Sequence, residues 1–372
     1  MIKVVHIAKP IGGVGVYIQL LAKTIDSNLY EHIIIQNKND KNLKIVTDKE
    51  ELIKSYHVNL IREIKPINDI LSLIECIRVL KKEKPNLIHC HSAKAGILGR
   101  LAAFFLKIPV LYTPHAYSYL STNSYFKRTI FKLTEQLFKY LPGKTLACSQ
   151  SEYYRTINDL KFDPNKVFLW NNAIDEIKPV ANKIDYNLPE NYICNIGRPS
   201  YQKNTELLIN SIYQVKKDIP NIHLVILGVG YYAPSLKKVT SLINDLNLTS
   251  NVTLISFINR QDCLAILEKS NLFVSTSRYE GLPYAGIEAL MLKKACVLSD
   301  VDGHKDLVDN TINGYLTEQN TSKIAEKIKY LLTNHSVRKK MEEASYTKFQ
   351  RNFVLKNNYK KLENIYKSVA KR

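Results

Sequence analysis

The chain has 372 residues, 45% of them apolar, and a formal net charge of +19. That length suits two domains of ordinary size, and that composition excludes a disordered or low-complexity chain. The basic excess is spread evenly, with 25 Lys and Arg against 16 Asp and Glu in residues 1–176 and 28 against 18 in the remainder. A basic tail or single arm is thereby excluded, while anionic partners of several kinds stay open: nucleic acid, acidic membrane or phosphorylated small molecules.

Cys76, Cys90, Cys148, Cys194, Cys263 and Cys296 include no CxxC pair, which argues against a zinc ribbon or a thioredoxin-like motif. The opening residues Met1 to Ala8 read as a buried strand and are too short for the apolar core of a signal peptide. No apolar run approaches the length needed to span a bilayer. A reduced, cytoplasmic protein is the expectation.

In chain order, Ile2–Ile7, Leu87–Cys90, Pro109–Thr113 and Thr145–Ser149 read as buried strands. In the second half Tyr192–Ile196, His223–Leu227, Val252–Ile255, Leu272–Ser275 and Ala295–Ser299 do the same. Unbroken apolar strands suit parallel sheets covered on both faces. Helical stretches between them, such as Ile70–Lys84 and Thr205–Lys217, predict a doubly wound α/β architecture. Pro179 and Pro189 break the pattern, so the division is expected at 176–190. The predicted domains are residues 1–178, residues 179–350, and a terminal helix over 351–372 packing back on the first. Two such sheets facing across a cleft would place ligands beyond the carboxyl ends of their strands.

The first strand runs into Gly12-Gly13-Val14-Gly15. The spacing is not that of a dinucleotide fingerprint; the glycines serve either a tight turn or a ligand's close approach, and the sequence leaves both open. His89 and His91 stand two apart on a strand, so they share a face with Cys90 opposite. A metal there would need further ligands, and no third stands nearby in sequence. Lys94 and Arg100 follow on the next helix, where a solvated face is the simple expectation. Thr113-Pro114-His115 puts another histidine just past a strand, either as a hydrogen-bonding or acid–base group or as a structural one. Phe126 to Leu141 carries apolar residues at helical spacing with lysines between, and Lys81, Lys82 and Lys84 end another helix. That pattern fits an anionic membrane surface or, equally, a helix packed on its own sheet.

The second half carries sharper chemistry. Gly197 and Arg198 end a strand, and Lys203 follows. A guanidinium fork and a point charge together can neutralise a diphosphate, helped by the positive end of the helix starting near Asn204. Gly228 and Gly230 form a second glycine turn. In Ser275 to Glu288, Glu280 and Gly281 lie in a turn, Pro283 suits a first helical position, and Leu282 to Tyr284 would offer backbone N–H groups to an anion. Glu280 and Glu288 can accept hydrogen bonds from sugar and ribose hydroxyls. Asp300-Val301-Asp302 has the spacing of a Mg²⁺ pair, but it follows a strand well after the phosphate elements and reads as loop chemistry.

Taken together these residues resemble the retaining GT-B glycosyltransferases of family four, the group 1 enzymes of bacterial capsule, O-antigen and exopolysaccharide synthesis. The resemblance covers nearly the whole chain: Gly12-Gly13-Val14, His89 and His91, Thr113 to His115, Asn171 to Asp175, Gly197-Arg198 with Lys203, Gly228 to Gly230, and Glu280 to Pro283 with Glu288. It implies two Rossmann-like domains. Arg198 and Lys203 would bind the donor diphosphate, Glu280 the donor sugar, and Glu288 the ribose. Leu282 and Tyr284 would offer backbone N–H groups, His115 would sit beside the sugar, and Gly13 near phosphate and acceptor. The catalytic set is Glu280, His115, Arg198 and Lys203; Gly197, Gly228, Gly281 and Pro283 complete the donor site. The family often has Gly where this chain has Ala173, and Gly-Gly where it has Asp302-Gly303.

The implied reaction moves a sugar from a nucleotide-diphosphate sugar, a UDP-sugar being favoured, to a glycan on a polyprenyl-diphosphate carrier. It needs no cofactor beyond that co-substrate and no metal. The enzyme would be cytoplasmic, in peripheral contact with an anionic membrane, without a nucleic-acid partner. A GT-B-like nucleotide-sugar epimerase, which needs no acceptor, is the rival reading.

Overall fold

The structure, a computed structural model, describes residues 1–38, 44–60, 65–179, 186–230, 233–256 and 258–370. Part of the expected linker, residues 180–185, lies outside the described residues. The chain divides into two compact units, Met1–Asn172 with Leu355–Arg372 and Ala173–Val354.

The N-terminal unit runs β1 (Ile2–Ile7), α1 (Gly13–Thr24), β2 (Tyr30–Asn37), β3 (Lys54–Val58), α2 (Pro66–Glu83), β4 (Leu87–His91), α3 (Ala93–Leu106), β5 (Val110–Thr113), α4 (Tyr125–Phe138), β6 (Lys144–Ala147), α5 (Gln150–Asn158) and β7 (Val167–Leu169). Its seven-stranded sheet is parallel throughout, in the order β3-β2-β1-β4-β5-β6-β7. The second unit runs β8 (Ile193–Ile196), α6 (Thr205–Lys216), β9 (Leu224–Leu227), α7 (Leu236–Asp245), β10 (Val252–Ile255), α8 (Arg260–Lys269), β11 (Leu272–Ser275), α9 (Tyr284–Met291), β12 (Cys296–Ser299), α10 (His304–Leu307), β13 (Gly314–Thr317), α11 (Thr321–Thr333) and α12 (His335–Asn352). Its six-stranded parallel sheet is ordered β10-β9-β8-β11-β12-β13. The last helix, α13 (Leu355–Ala370), belongs to the N-terminal unit. There the Trp170 indole donates to the Asn358 carbonyl at 3.1 Å.

Every expected strand is present within a residue or two. β2, β3, β7 and β13 were not among those expected. β3 exposes Lys54, Ser55 and His57, and β7 has only three residues, so neither shows the long apolar run of a central strand.

The two faces of the N-terminal sheet differ. Val5, Ile7, Ile33, Ile35, Ile88 and Cys90 join Cys76 and Leu80 of α2 and Leu98 and Ala102 of α3 in an apolar core. Alternation along each strand sends His6, His32, His89 and His91 to the opposite face, where all four are buried.

Two expectations for this unit are corrected. Arg100 is not on a solvated face: it is buried, 3.4 Å from Glu135, with its guanidinium 4.1 Å from the centre of the Tyr112 ring. Tyr112 also donates its hydroxyl to Glu135 at 3.0 Å. Lys94 pairs with Asp69 at 2.6 Å. Nor is the α4 stripe packed away on the sheet; Phe126, Ile130, Leu133 and Leu137 are exposed, and Glu135 is the buried residue of that helix.

Removing one partner of a buried ion pair strands the other charge in a low dielectric. Arg100→Leu is therefore expected to destabilise the protein by about 3–5 kcal/mol, and Arg100→Leu with Glu135→Leu by much less. Urea unfolding of the two variants checks this; equal losses would contradict it.

Candidate functional site

In each sheet the strand order reverses direction at one place, between β1 and β4 and between β8 and β11. Neighbouring strands there lead into connections that leave the sheet in opposite senses, so a crevice opens at their carboxyl ends. In the second unit that place is bordered by Gly197 to Lys203 after β8 and Thr276 to Glu280 after β11.

These two segments are laced together. The Arg278 amide donates to the Gln202 carbonyl at 2.7 Å, and the Thr276 hydroxyl donates to the Asn204 carbonyl at 3.0 Å. Lys203 reaches across Gly197 to Glu280, Nζ to Oε1 at 2.7 Å. A Cβ on Gly197 would stand 3.1 Å from the Lys203 stem, so a larger residue there would push the lysine aside. The Ser277 hydroxyl donates to the same Glu280 oxygen at 2.7 Å, and Gln202 donates to Oε2 at 3.2 Å.

Glu280 is 6% exposed. Burial pushes its carboxyl up, but Lys203, His304 and the Lys203 and Ser277 hydrogen bonds outweigh that and hold it below the ordinary range. It is a buried carboxylate kept charged. With two donors on Oε1 and one on Oε2, it retains capacity for a further hydroxyl on Oε2.

His304 was not singled out from sequence. It is fully buried, its Nδ1 2.9 Å from the Ser299 carbonyl, and its Nε2 has no hydrogen-bond partner among the described residues. Burial lowers its pKa to about 4 despite the pull of Glu280. Gly303, which caps α10, has φ of +75°, and a Cβ there would come within 2.5 Å of the Gly281 carbonyl. The glycine lets the 302–303 loop back onto the Glu280-Gly281 turn.

Glu288, inside α9, receives Arg260 from α8 at 2.9 Å. Burial raises its pKa against the opposing charge of Arg260. Pro283 is the N-cap rather than the first helical residue: its ψ of 127° is extended, and α9 begins at Tyr284. Leu282 and Tyr284 are buried at that helix start. Gly228, at φ +85°, lets its chain pass beside the Arg198 amide, 3.9 Å from where a Cβ would lie. Asp300 pairs with Lys305 at 3.4 Å.

In the N-terminal unit Gly12, at φ +60°, caps α1, and Gly13 opens that helix in an exposed position. His115 and Ala116 both have left-handed backbones, φ +53° and +76°. Glu152 anchors them, a role the sequence reading missed. Its carboxylate accepts the Ala116 amide at 2.7 Å and the Cys148 amide at 2.8 Å, while Ser149 caps α5 through the Glu152 amide at 3.0 Å. Ser149 and Glu152 have the spacing of a capping box, the one signal that pointed there.

His6 supplies the third imidazole near His89 and His91 that sequence proximity did not: the three offer ring nitrogens within 4.8 Å of one another. Each of those nitrogens is already engaged. His6 meets His91 and His32, both at 3.0 Å; His91 meets His115 at 3.1 Å; His89 meets Tyr366 at 2.7 Å and Thr113 at 2.8 Å. The arrangement is a hydrogen-bonded cluster, which a metal would have to take apart.

Residues 11–177 match the sequence model for Glycosyltransferase Family 4, and residues 177–348 that for glycosyl transferases group 1. A curated relative from Escherichia coli, UDP-Gal:alpha-D-GlcNAc-diphosphoundecaprenol alpha-1,3-galactosyltransferase, is 31% identical over 73% of this chain and 72% of its own length. The chain belongs to this glycosyltransferase family. The glycosyltransferase is also 26% identical to the capsular polysaccharide biosynthesis glycosyltransferase CapM of Staphylococcus aureus, over 90% of this chain and 92% of that one. Sucrose-phosphate synthase from Thermosynechococcus elongatus shares its fold, with TM-score 0.85 and 18% identity over 99% of both chains. So does HepE of Anabaena, solved with UDP and glucose, with TM-score 0.79 and 16% identity over 99% of this chain and 100% of that one. The fold of this glycosyltransferase is GT-B.

The Lys203–Glu280 contact gives a pH signature. A carboxyl depressed in the folded state adds stability above its unfolded pKa of about 4.3, lost as pH falls through the folded value. Lys203→Met leaves burial as the dominant influence and moves the Glu280 carboxyl above the ordinary range. The variant is expected to be about 1–3 kcal/mol less stable than wild type at pH 7, the gap narrowing as pH falls through the variant's raised Glu280 value and closing below the wild type's depressed one. Denaturant unfolding across that range measures it, and a gap independent of pH would refute the assignment.

Proposed function

We propose that this glycosyltransferase moves a hexosyl or N-acetylhexosaminyl group from a nucleoside-diphosphate sugar, a UDP-sugar being favoured, to a polyprenyl-diphosphate-linked saccharide, with retention of anomeric configuration. The observation that carries this reading is Glu280, held charged by Lys203 at the reversal point of the second sheet. The E. coli relative, whose name includes a UDP-sugar donor and a diphosphoundecaprenol-linked acceptor, supports the substrate classes.

As the anomeric carbon–oxygen bond breaks, negative charge grows on the departing diphosphate. Arg198 and Lys203 would stabilise it, with the starts of α6 and α9 adding their positive ends. Two side-chain cations on the diphosphate would do the work for which other enzymes use a divalent metal, so the reaction needs no metal. Glu280 would take a donor-sugar hydroxyl on Oε2, Glu288 the ribose hydroxyls, and Gly197, Gly228, Gly281, Leu282, Pro283 and Tyr284 would shape the donor pocket. His115 would meet the sugar, and Gly13 the phosphate and acceptor. With no dedicated carboxylate nucleophile evident among the described residues, the acceptor hydroxyl attacks the anomeric carbon from the face the diphosphate leaves as the carbon–oxygen bond to it breaks, and its proton passes to the departing diphosphate oxygen; a glycosyl adduct on Glu280 would overturn that step.

Calorimetry against UDP-, GDP- and ADP-sugars is expected to show binding of one class, abolished by Arg198→Ala and by Glu288→Gln. Lys203→Met is expected to lower kcat by about 10²–10³. Undiminished binding in both Arg198→Ala and Glu288→Gln would overturn the donor site.

The exposed face of α4 is proposed to rest on the anionic membrane that carries such an acceptor. Phe126 is 72% exposed, Leu133 52% and Leu137 66%, and Lys127, Arg128 and Lys132 lie on the same helix. Apolar residues flanked by cations on one surface helix suit an acidic lipid interface. Among the described residues no helix is long and apolar enough to cross a membrane. The protein is expected to sediment with vesicles containing phosphatidylglycerol and not with neutral ones, and Phe126→Ser with Leu133→Ser to reduce it severalfold. No dependence on anionic lipid would refute the contact.

A further inference from the structure

Four imidazoles form a continuous chain across the histidine face of the N-terminal sheet. His32 Nδ1 lies 3.0 Å from His6 Nε2, His6 Nδ1 3.0 Å from His91 Nε2, and His91 Nδ1 3.1 Å from His115 Nε2. The strand register makes the diagonal possible: β1 lies between β2 and β4, with His6 beside His89, and His115 follows β5. His6, His32 and His91 are buried, and His115 is half-buried at the carboxyl end of the sheet. Tyr17 covers the chain, its ring 5.4 Å from His91 and 4.7 Å from His115.

We propose that His32, His6 and His91 act through this chain as positioning residues that hold His115 in one tautomer, with its proton on Nδ1.

A neutral imidazole has one N–H and one lone pair. Each of the three contacts needs one of each. If one ring carries its proton on Nδ1, every ring in the chain must do so; if one carries it on Nε2, all must. Burial lowers all four pKa values, His32 to about 4 and His115 to about 3, so the rings are neutral and the constraint applies.

The two registers differ at their ends. His115 Nδ1, at the half-buried end, can meet water or substrate as donor or acceptor. His32 Nε2 is buried and has no hydrogen-bond partner among the described residues. In the Nε2–H register it is an orphaned donor; in the Nδ1–H register it is a bare lone pair. Unpaired N–H groups are the rarer fault in protein interiors, which selects Nδ1–H throughout. The other group that bears on His32 is Asp48, an exposed carboxylate that draws its pKa upward but makes no hydrogen bond to the ring. Around the rest of the cluster stand His89 and the phenols of Tyr17, Tyr30 and Tyr366.

His115 then carries its N–H on Nδ1 while its Nε2 is committed to His91. It meets a substrate oxygen as a neutral hydrogen-bond donor and has no lone pair to offer as a base. That consequence rests on His115 touching the sugar, as proposed above; the tautomer does not.

Long-range proton–nitrogen correlation spectra of the full chain labelled with ¹⁵N-histidine, recorded at pH 7 without substrate, distinguish the tautomers. Resonances are assigned by single His substitutions. The expected result is Nδ1–H at His6, His32, His91 and His115. A free imidazole favours Nε2–H, so this uniform pattern is one that only the chain imposes. Nε2–H at His115, a mixture along the chain, or imidazolium at any of the four overturns the proposal, whatever the donor-site experiments show.

His91→Leu removes the donor that faces His115 Nε2 and is expected to return His115 to a tautomer mixture, lowering kcat about fivefold with KM little changed. An unchanged His115 spectrum in a folded His91→Leu protein also overturns the proposal; should that variant not fold, the wild-type spectrum decides.

Discussion

A carboxylate closed off from water at the end of a parallel strand stays charged only if a cation is brought to it. For Glu280 that cation is Lys203, and much of the second unit is arranged around the contact. The reversed strand order makes β8 and β11 neighbours, so the segments following them meet although the two residues lie 77 positions apart. Gly197 has no Cβ because the lysine stem crosses it, and Gly303 has none because the turn carrying Glu280 and Gly281 lies against it. Ser277 and Gln202 complete the carboxylate's hydrogen bonds. A larger residue at either glycine would not remove a functional group, yet would displace the groups that hold the charge.

The N-terminal unit has the same reversal and fills it with different chemistry. The polar groups gathered on that face of the sheet are imidazoles whose charged forms burial suppresses. Except at His32 Nε2, their buried nitrogens are satisfied by one another and by Thr113 and Tyr366, with no counter-ion within the set. One topology thus supports a fixed ion pair in one unit and a neutral hydrogen-bond network in the other. A side-chain cation can answer the charge of a diphosphate, whereas a neutral network can discriminate hydroxyl positions without attracting an anion. On the proposed reading the leaving group and the sugar are each met by the kind of polarity that suits them.

Most central strands were legible because parallel strands covered on both faces are written as unbroken apolar runs; β2, whose Ile33 to Ile35 is such a run, was passed over. β3, with a solvated edge, and β7, three residues long, lack that signature. Arg198, Lys203, Glu280 and Glu288 could be selected by type and by their place after strands. What spacing could not supply was pairing: that Lys203 meets Glu280, that Glu288 meets Arg260, or that His6 joins His91 from 85 residues away. Pairing is set by strand order, which local periodicity does not encode. The amphipathic pattern of α4 was equally plain, but periodicity states that a helix has an apolar side and not what covers it. Arg100 shows the converse: a charge on a helix reads as solvated until Glu135 and Tyr112 are seen around it. Pro179 marked the end of regular structure, whereas the compact units part at Asn172 and Ala173, a boundary drawn by contacts rather than by a helix-breaking residue.

The net charge of +19 takes on a clearer meaning once the buried charges are placed. Glu83, Glu135, Glu280 and Glu288 are each drawn into an internal or half-buried pair with Lys54, Arg100, Lys203 and Arg260. Each such pair is neutral, so the excess of +19 is carried by the groups outside them. An excess of that kind concentrates anions generally without choosing among them, and its pull weakens with ionic strength. On the proposed reading both substrates are anionic, and a net positive charge attracts both. Selection between them has to come from places where charge is combined with something else: with a carboxylate and glycine turns at Lys203, or with an exposed apolar stripe at α4.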